Sequence, residues 1–311
     1  MNTLDVERRV REIHPKLWDI YQAEGRKEVR GFRPNPVIPQ CGNDKFFWRK
    51  VFDHDPRFAQ VSDKLRVKSW LDEQNVEVAT PQILWSGTDV STIPDDVFED
   101  RVVMKANNGQ GQVLSILDGR PTNLKAFASQ MLKPNQLRRT YLNIKPQVLL
   151  EPYIETIDTT VQEYKFYTFG EQIERLVPIY GRTSGSMSAA VWEPDGDGYA
   201  LSPEPANISE NRDDRPLPDT IDVMAKLAKQ IGSHFDHMRV DFYSDGTNVT
   251  LGELTVFNFG GRFPKTGADP NNRMNRAWDI SGTWFLTTLQ SEWKQEYANE
   301  LREVLAEKNE E

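Results

Sequence analysis

Apolar residues recur at helical spacing near the start of the chain: Leu4, Val6, Val10, Ile13, Leu17, Ile20 and Tyr21. Pro15 is placed to kink or break that run and Gly25 to end it. Pro34, Pro36, Pro39 and Gly42 predict an extended connection over 31–43. An aromatic and basic stretch, Phe46 to Lys50, follows, then acidic turn chemistry at Asp53-His54-Asp55-Pro56. Ser62-Asp63 opens a capped helix predicted over 62–74, with Leu65, Val67, Trp70 and Leu71 as its apolar positions.

From residue 76 the pattern becomes mixed. Strand-like runs stand at 76–78 and 82–85, separated by Pro81. Val102 to Lys105 and Val113 to Ile116 read as two strands joined by a glycine-containing loop, and a helix is predicted over 122–133. Val148 to Leu150 is a short buried strand. Glu163 to Phe169 and Gln172 to Tyr180 read as a hairpin turning at Gly170. Residues 181–218, rich in Gly, Ser, Pro and Asp, predict a long loop region with short strands. A helix over 219–232, a hairpin over 238–256 and a final helix over 283–306 complete the chain. Hairpins outnumber βαβ units, so the fold class is α+β.

The chain has 311 residues, enough for two or three subdomains at the usual ~100–200 residues per core. Hydrophobic residues make up 38% and charged residues 27%, the balance of a globular protein. The net charge of −9 repels nucleic acid and anionic membranes, so a polyanionic ligand would need a local cluster of cations and backbone N–H groups. Cys41, the single cysteine, excludes an intrachain disulfide and reads as a small, half-buried apolar residue. The N-terminus lacks the basic and apolar regions of a signal peptide, and no run nears the ~18 apolar residues of a membrane span, so the expectation is a cytoplasmic protein.

Three stretches carry candidate chemistry. Lys105 stands at a strand end before Ala106-Asn107-Asn108-Gly109-Gln110-Gly111-Gln112. Glycines let backbone N–H groups approach phosphate oxygens, and the lysine adds a point charge; Asn-Gly is equally a hairpin turn signal. The spacing is not that of a Walker A loop. In the second stretch, alternation puts Arg239 and Asp241 on one face of a strand and Glu253 with Thr255 on one face of the next. A three-residue Asp245-Gly246-Thr247 loop would set Arg239 opposite Glu253 with Asp241 diagonal to it, whereas a two-residue loop would put the carboxylates on opposite faces. In the first register the oxygens converge on a space suited to Mg²⁺; otherwise the pair is an ordinary hairpin face. The third stretch, Leu149 to Ile154, runs an apolar strand into a segment able to edge a flat ring, or is simply a core strand.

In their order along the chain these pieces resemble the ATP-grasp superfamily, and most closely its teichuronopeptide-biosynthesis (TupA-like) branch. Trp48 to Phe58, Ser62 to Val67, Val103 to Gly109, Tyr164 to Tyr167, Arg239 to Tyr243 and Gly252 to Thr255 carry the resemblance, which spans roughly 45–265. It implies a nucleotide held between two α+β subdomains, here 62–147 and 148–311, behind an N-terminal helical and extended region, 1–61. It also implies site residues. Lys64 and Lys105, with Asn108, Gly109, Gln110 and Gly111, would contact ATP phosphates. Glu151, Pro152, Tyr153 and Ile154 would form the adenine hinge, and Glu163 would take the ribose. Arg239 would face the transferred phosphoryl group, with Asp241 and Glu253 as Mg²⁺ ligands. Many superfamily members have Asn two residues after the metal-binding glutamate; here Thr255 stands there, and Asn258 lies just beyond. Arg262 and Lys265 could meet the substrate carboxylate or be solvated loop cations; Lys165 and Arg182 are further candidates.

The implied reaction is ATP-dependent carboxylate–amine ligation through an acyl phosphate, with ATP and Mg²⁺ as cofactors. The partners would be a small-molecule or saccharide carboxylate and an amine, within cell-surface polysaccharide biosynthesis. A phosphotransferase acting on a sugar hydroxyl and a non-catalytic nucleotide-binding scaffold are the alternatives. His14, His54, His234 and His237 form no metal-ligand pattern.

Overall fold

In the computed structural model of the chain, residues 8, 10–24, 34–109, 111–133, 143–154, 162–182, 186–261, 263 and 269–310 are described. Pro15 breaks the first apolar run as expected. Helix α1 (Pro15–Glu24) starts there, where the Leu17 N–H donates to the His14 carbonyl at 3.0 Å. The aromatic and basic stretch forms helix α2 (Gly42–Val51), whose polar residues hid its period. The Asp44 carboxylate accepts from the backbone N–H groups of Asn35, Gln40 and Cys41 and so fixes the chain entering α2. The helix predicted over 62–74 is shorter, α4 (Val67–Glu73), and a separate helix, α3 (Arg57–Ser62), precedes it. Asp63 lies between them, extended, and accepts from the Leu65 N–H at 3.0 Å.

The central half of the chain forms two antiparallel sheets. The smaller contains β1 (Trp85–Gly87), β2 (Val102–Ala106), β3 (Val113–Ile116) and β4 (Val148–Pro152) in the order β1-β4-β2-β3. Helix α5 (Leu124–Met131) covers it, burying Leu124, Ala128 and Met131 in a separate core with Val102, Met104, Val148 and Leu150. Residues 76–78 form no strand.

The larger sheet runs β11-β10-β5-β6-β8-β9, with β7 added beside β6. Its strands are β5 (Gln162–Phe169), β6 (Gln172–Tyr180), β7 (Ser188–Ala189), β8 (Trp192–Asp195), β9 (Gly198–Leu201), β10 (Met238–Ser244) and β11 (Val249–Thr255). Helix α6 (Ile221–Gly232) turns Met224, Ala228 and Ile231 inward against this sheet. Gly232 is required there, since a Cβ would come within 2.5 Å of the Gly170 carbonyl oxygen. The predicted final helix is interrupted: α7 (Arg273–Ala277) and α8 (Trp284–Thr287) precede the long α9 (Trp293–Glu310).

The packing does not follow boundaries at 61/62 and 147/148. Phe46, Trp48, Trp70 and Val76 join the core of the large sheet, while β4 pairs with β1 and β2 in the small one. Burial of apolar surface recruited these segments across the chain, which local composition does not encode. Among the described residues, no helix is long and apolar enough to cross a membrane.

Candidate active site

The β10–β11 hairpin does not use either register expected from loop length. Its connection is four residues, 245–248, closed by the Asp245 side chain, which accepts from the backbone N–H groups of Thr247 at 2.8 Å and Asn248 at 2.6 Å. Ser244 pairs with Val249 and Phe242 with Leu251. Continued evenly, that register would put Glu253 opposite Val240, on the wrong face. An extra residue, Gly252, bulges out instead, so that Asp241 faces Glu253 and Arg239 faces Thr255. A Cβ on Gly252 would come within 2.8 Å of the Tyr243 ring and 3.3 Å of the Asp241 carbonyl oxygen, so the bulge depends on glycine.

On the other side of β10, β5 sets Lys165 opposite Asp241 and Glu163 opposite Tyr243. The Lys165 ammonium lies 2.6 Å from Asp241 Oδ2 and also bonds Glu163, which pairs in turn with Arg182. Arg239 holds Asp241 through two hydrogen bonds, Nε–Oδ1 at 2.7 Å and Nη2–Oδ2 at 2.6 Å, and lies 3.9 Å from Glu253. Lys64 reaches the same glutamate at 3.3 Å and donates to the Gly109 carbonyl at 3.0 Å, joining the two sheets across the cleft.

These pairings keep the carboxylates charged. Burial works against ionised Asp241, but Arg239 and Lys165 outweigh it and hold the carboxyl below its usual range. Burial opposes the charge on Glu253 too, and Lys64, Arg239 and Lys165 more than offset both burial and Asp241. On the small sheet, Lys105 pairs with Glu151 at 2.5 Å.

The two walls enclose a cleft of about 570 Å³. Its floor is the charged patch of β5, β10 and β11; Lys105 and the glycine loop form the facing wall, and Pro152, Tyr153 and Ile154 form one end. A family model described as TupA-like ATPgrasp matches residues 44–270. The chain belongs to the TupA-like ATP-grasp family.

In this ATP-grasp protein Lys64, Lys105, Gly109, Gly111, Glu163, Lys165, Arg239, Asp241 and Glu253 all line the cleft. Asn108 is fully buried behind the glycine loop. Glu151, expected in the hinge, is buried as the partner of Lys105 and is not among the residues that line the cleft; β4 pairs with β2 and sets the two side chains on one face. Thr255, expected as a metal ligand, accepts a hydrogen bond from Arg239 Nη2 at 3.0 Å; its place opposite Arg239 turns the hydroxyl to the guanidinium. Asn258 is fully buried and is not among the residues that line the cleft. Its amide donates to His237 Nε2 at 2.7 Å, while His237 Nδ1–H donates to the Thr168 carbonyl at 2.8 Å. Burial, then Arg49, holds His237 neutral in an aromatic cage of Phe169 and Trp278. Gln110, Arg262 and Lys265 lie outside the described residues. Tyr243, Ile208 and Phe259 also line the cleft without having been singled out. Gly252 inside a strand pattern was the signal that could have revealed the bulge.

Several solved structures resemble the fold. D-alanine–D-alanine ligase from Bacillus anthracis is 15% identical, with 80% of this chain and 70% of that one covered at a TM-score of 0.39. The corresponding figures for the Helicobacter pylori D-Ala-D-Ala ligase are 14%, 70%, 61% and 0.39. For L-amino acid ligase from Bacillus licheniformis they are 11%, 65%, 42% and 0.38. No curated protein matches the sequence.

Proposed function

We propose that this protein is an ATP-dependent carboxylate–amine ligase that forms an amide through an acyl phosphate, acting in the cytoplasm on a saccharide or small-molecule carboxylate during cell-surface polysaccharide biosynthesis. The observation that carries the nucleotide half is the Asp241–Glu253 pair, set face to face by the Gly252 bulge and surrounded by Lys64, Lys105, Lys165 and Arg239. The donor set fits magnesium: two ionised carboxylates on one face, in a cleft whose facing wall is suited to phosphate. Among the described residues, no group of three or more His, Cys, Asp or Glu offers a closed metal cage. Phosphate oxygens would complete the coordination, as Mg²⁺ sites at nucleotides commonly require.

Asp241 and Glu253 would hold the metal, which when bound offsets phosphate charge and fixes phosphate geometry. Lys105 and Lys64 would then exchange their carboxylate partners for phosphate oxygens. Arg239, anchored by Asp241 and Thr255, keeps its charge beside the phosphoryl group as the substrate carboxylate attacks. Pro152 to Ile154 would edge the base and Glu163 would accept from the ribose hydroxyls. No protein nucleophile is needed, because attack and amine displacement are governed by positioning and water exclusion. The reaction class and the polysaccharide role both rest on membership of the TupA-like ATP-grasp family.

The test is phosphate release from Mg–ATP across a panel of uronic acids and sugar nucleotides paired with amino acids, with hydroxylamine as trap. Hydroxamate formation with the true acid is expected. ATP consumption with that acid but never a hydroxamate would remove the acyl phosphate, and a stable phosphorylated product formed without amine would assign a phosphotransferase.

A further inference from the structure

The stretch beginning at Trp48 supplies no side chain to the cleft, and neither does the rest of α2. Helix α2 nevertheless holds the chain leaving β11 at successive points, always through backbone. Arg49 Nη1 donates to the Val256 carbonyl at 2.9 Å. Lys50 Nζ donates to the carbonyls of Gly260 at 2.8 Å and Gly261 at 3.4 Å. Asn43 brackets Phe263, accepting from its N–H at 2.7 Å and donating to its carbonyl at 3.2 Å. Asn43 and Lys50 are seven residues apart, so they share a helix face about 10 Å apart along the axis. Arg49 is almost fully buried and Asn43 nearly so, so these are built contacts within the core.

The held segment needs holding. Phe259, Gly260 and Gly261 have φ of +49°, +73° and +74°, three consecutive left-handed residues. The first carries a bulky side chain, in a backbone region that persists only where the surroundings over-determine it. Phe259 is the one of the three that lines the cleft, as Glu253 and Arg239 do. Lys50 fits this turn closely. Its ammonium lies 4.8 Å from the Phe47 ring centre and 5.6 Å from that of Phe257. A Cβ at Gly261 would come within 2.6 Å of Lys50 Nζ. The glycine is required for its φ, and its bare Cα leaves room for the ammonium.

We propose that α2 is a backbone clamp, with Lys50 and Asn43 as positioning residues that hold the left-handed turn 259–261 and thereby seat Phe259 in the wall of the nucleotide cleft. Only the binding arm of its test rests on the proposed function. Lys50→Met keeps the aliphatic packing and removes the ammonium; Lys50→Arg restores a donor; Asn43→Ala removes the helix's other hold, at Phe263. Amide hydrogen exchange and Mg–ATP calorimetry on the full-length protein read the result.

In folded Lys50→Met, exchange at the Gly260 and Gly261 amides should quicken by about tenfold or more, while β5 and β10 amides keep their protection. Mg–ATP affinity should fall by about three- to tenfold, with most of the loss recovered in Lys50→Arg. Asn43→Ala, which removes both side-chain bonds to Phe263 and leaves the turn's own residues unchanged, should quicken exchange at the same amides, and it decides the matter if Lys50→Met does not fold. Unchanged exchange at the turn in a folded variant would overturn the clamp. If the wild-type protein fails to bind Mg–ATP, the nucleotide reading falls, and the exchange pattern still decides whether α2 holds the turn.

Discussion

On the large-sheet wall of the cleft, Glu163, Lys165, Arg239 and Asp241 come from two neighbouring strands and are each less than a tenth exposed. They form one continuous network, which Glu253 extends from a third strand and Lys64 from across the cleft. On the small-sheet wall, Lys105 pairs with Glu151 alone among the ion pairs seen, and its side chain is about a fifth exposed. The walls carry complementary halves of one task. The network has every charge neutralised by a neighbour whose position the sheet dictates, so its geometry is set before any ligand arrives. The small-sheet pair is local, and in the proposed function its lysine exchanges one carboxylate for phosphate.

The contrast can be broken most severely at Asp241. Asp241→Asn removes a proposed metal ligand and the shared partner of Arg239 and Lys165, and Mg–ATP turnover should fall by about 10³-fold or more. Glu151→Gln on the other wall should cost less than about tenfold, since Lys105 retains its charge and its place on β2. Steady-state phosphate release measures both; unaffected turnover in Asp241→Asn and Glu253→Gln would dissolve the site assignment.

Gly252→Ala comes next. The new Cβ must displace Tyr243 or undo the bulge, and a shift of about 1 Å in Glu253 is enough for about a 10²-fold loss of kcat. The accompanying destabilisation should be about 1–3 kcal/mol, read from denaturant midpoints. Wild-type activity in this variant would show that the register tolerates a side chain at 252.

Two buried carboxyl populations should give opposite pH signatures. Asp241 and Glu253 have folded pKa values below their ordinary ones, so their ionisation stabilises the fold at neutral pH. That contribution is lost as pH falls below about 4 through the lowered values. Asp53 is the reverse case. Burial, then the charge of Asp236, raise it to about 7 despite Arg49. The folded state therefore binds that proton more tightly, and stability declines as pH rises from about 4 to 7. Asp53→Asn should raise Tm at pH 8 relative to wild type and change it little at pH 4. A Tm difference independent of pH would contradict the assignment.

The smallest expected effect is at Thr255. Thr255→Val removes one hydrogen bond to Arg239, at about 1 kcal/mol and a several-fold loss of kcat with little change in metal dependence. A large rise in the magnesium requirement would instead return Thr255 to the metal.

Much of this site was legible beforehand. Lys105 before a glycine loop, Arg239 two residues from Asp241, and the hairpin 163–180 follow from alternation and turn residues, which are local properties. Helix α2 was less visible because it is buried nearly all round and carries Asn43, Lys45 and Arg49, polar groups that satisfy backbone partners more than 180 residues away. Helical periodicity of apolar residues cannot report a face that binds carbonyl groups.

The sequence by itself determined the hairpins at 163–180 and 238–256, the order of the chemical pieces and the membership of Asp241, Glu253 and Lys105 in one family pattern. It did so because period-two alternation, glycines and turn residues act over a few positions. Tertiary structure alone decided that the carboxylates meet. Loop length would have put Glu253 on the wrong face, and the Gly252 bulge, enforced by the Tyr243 ring packed against it, corrects the register by one residue. It also decided which charge faces which, assigning Glu151 to Lys105 and Thr255 to Arg239, because those contacts depend on strand pairing between segments with no local trace of each other.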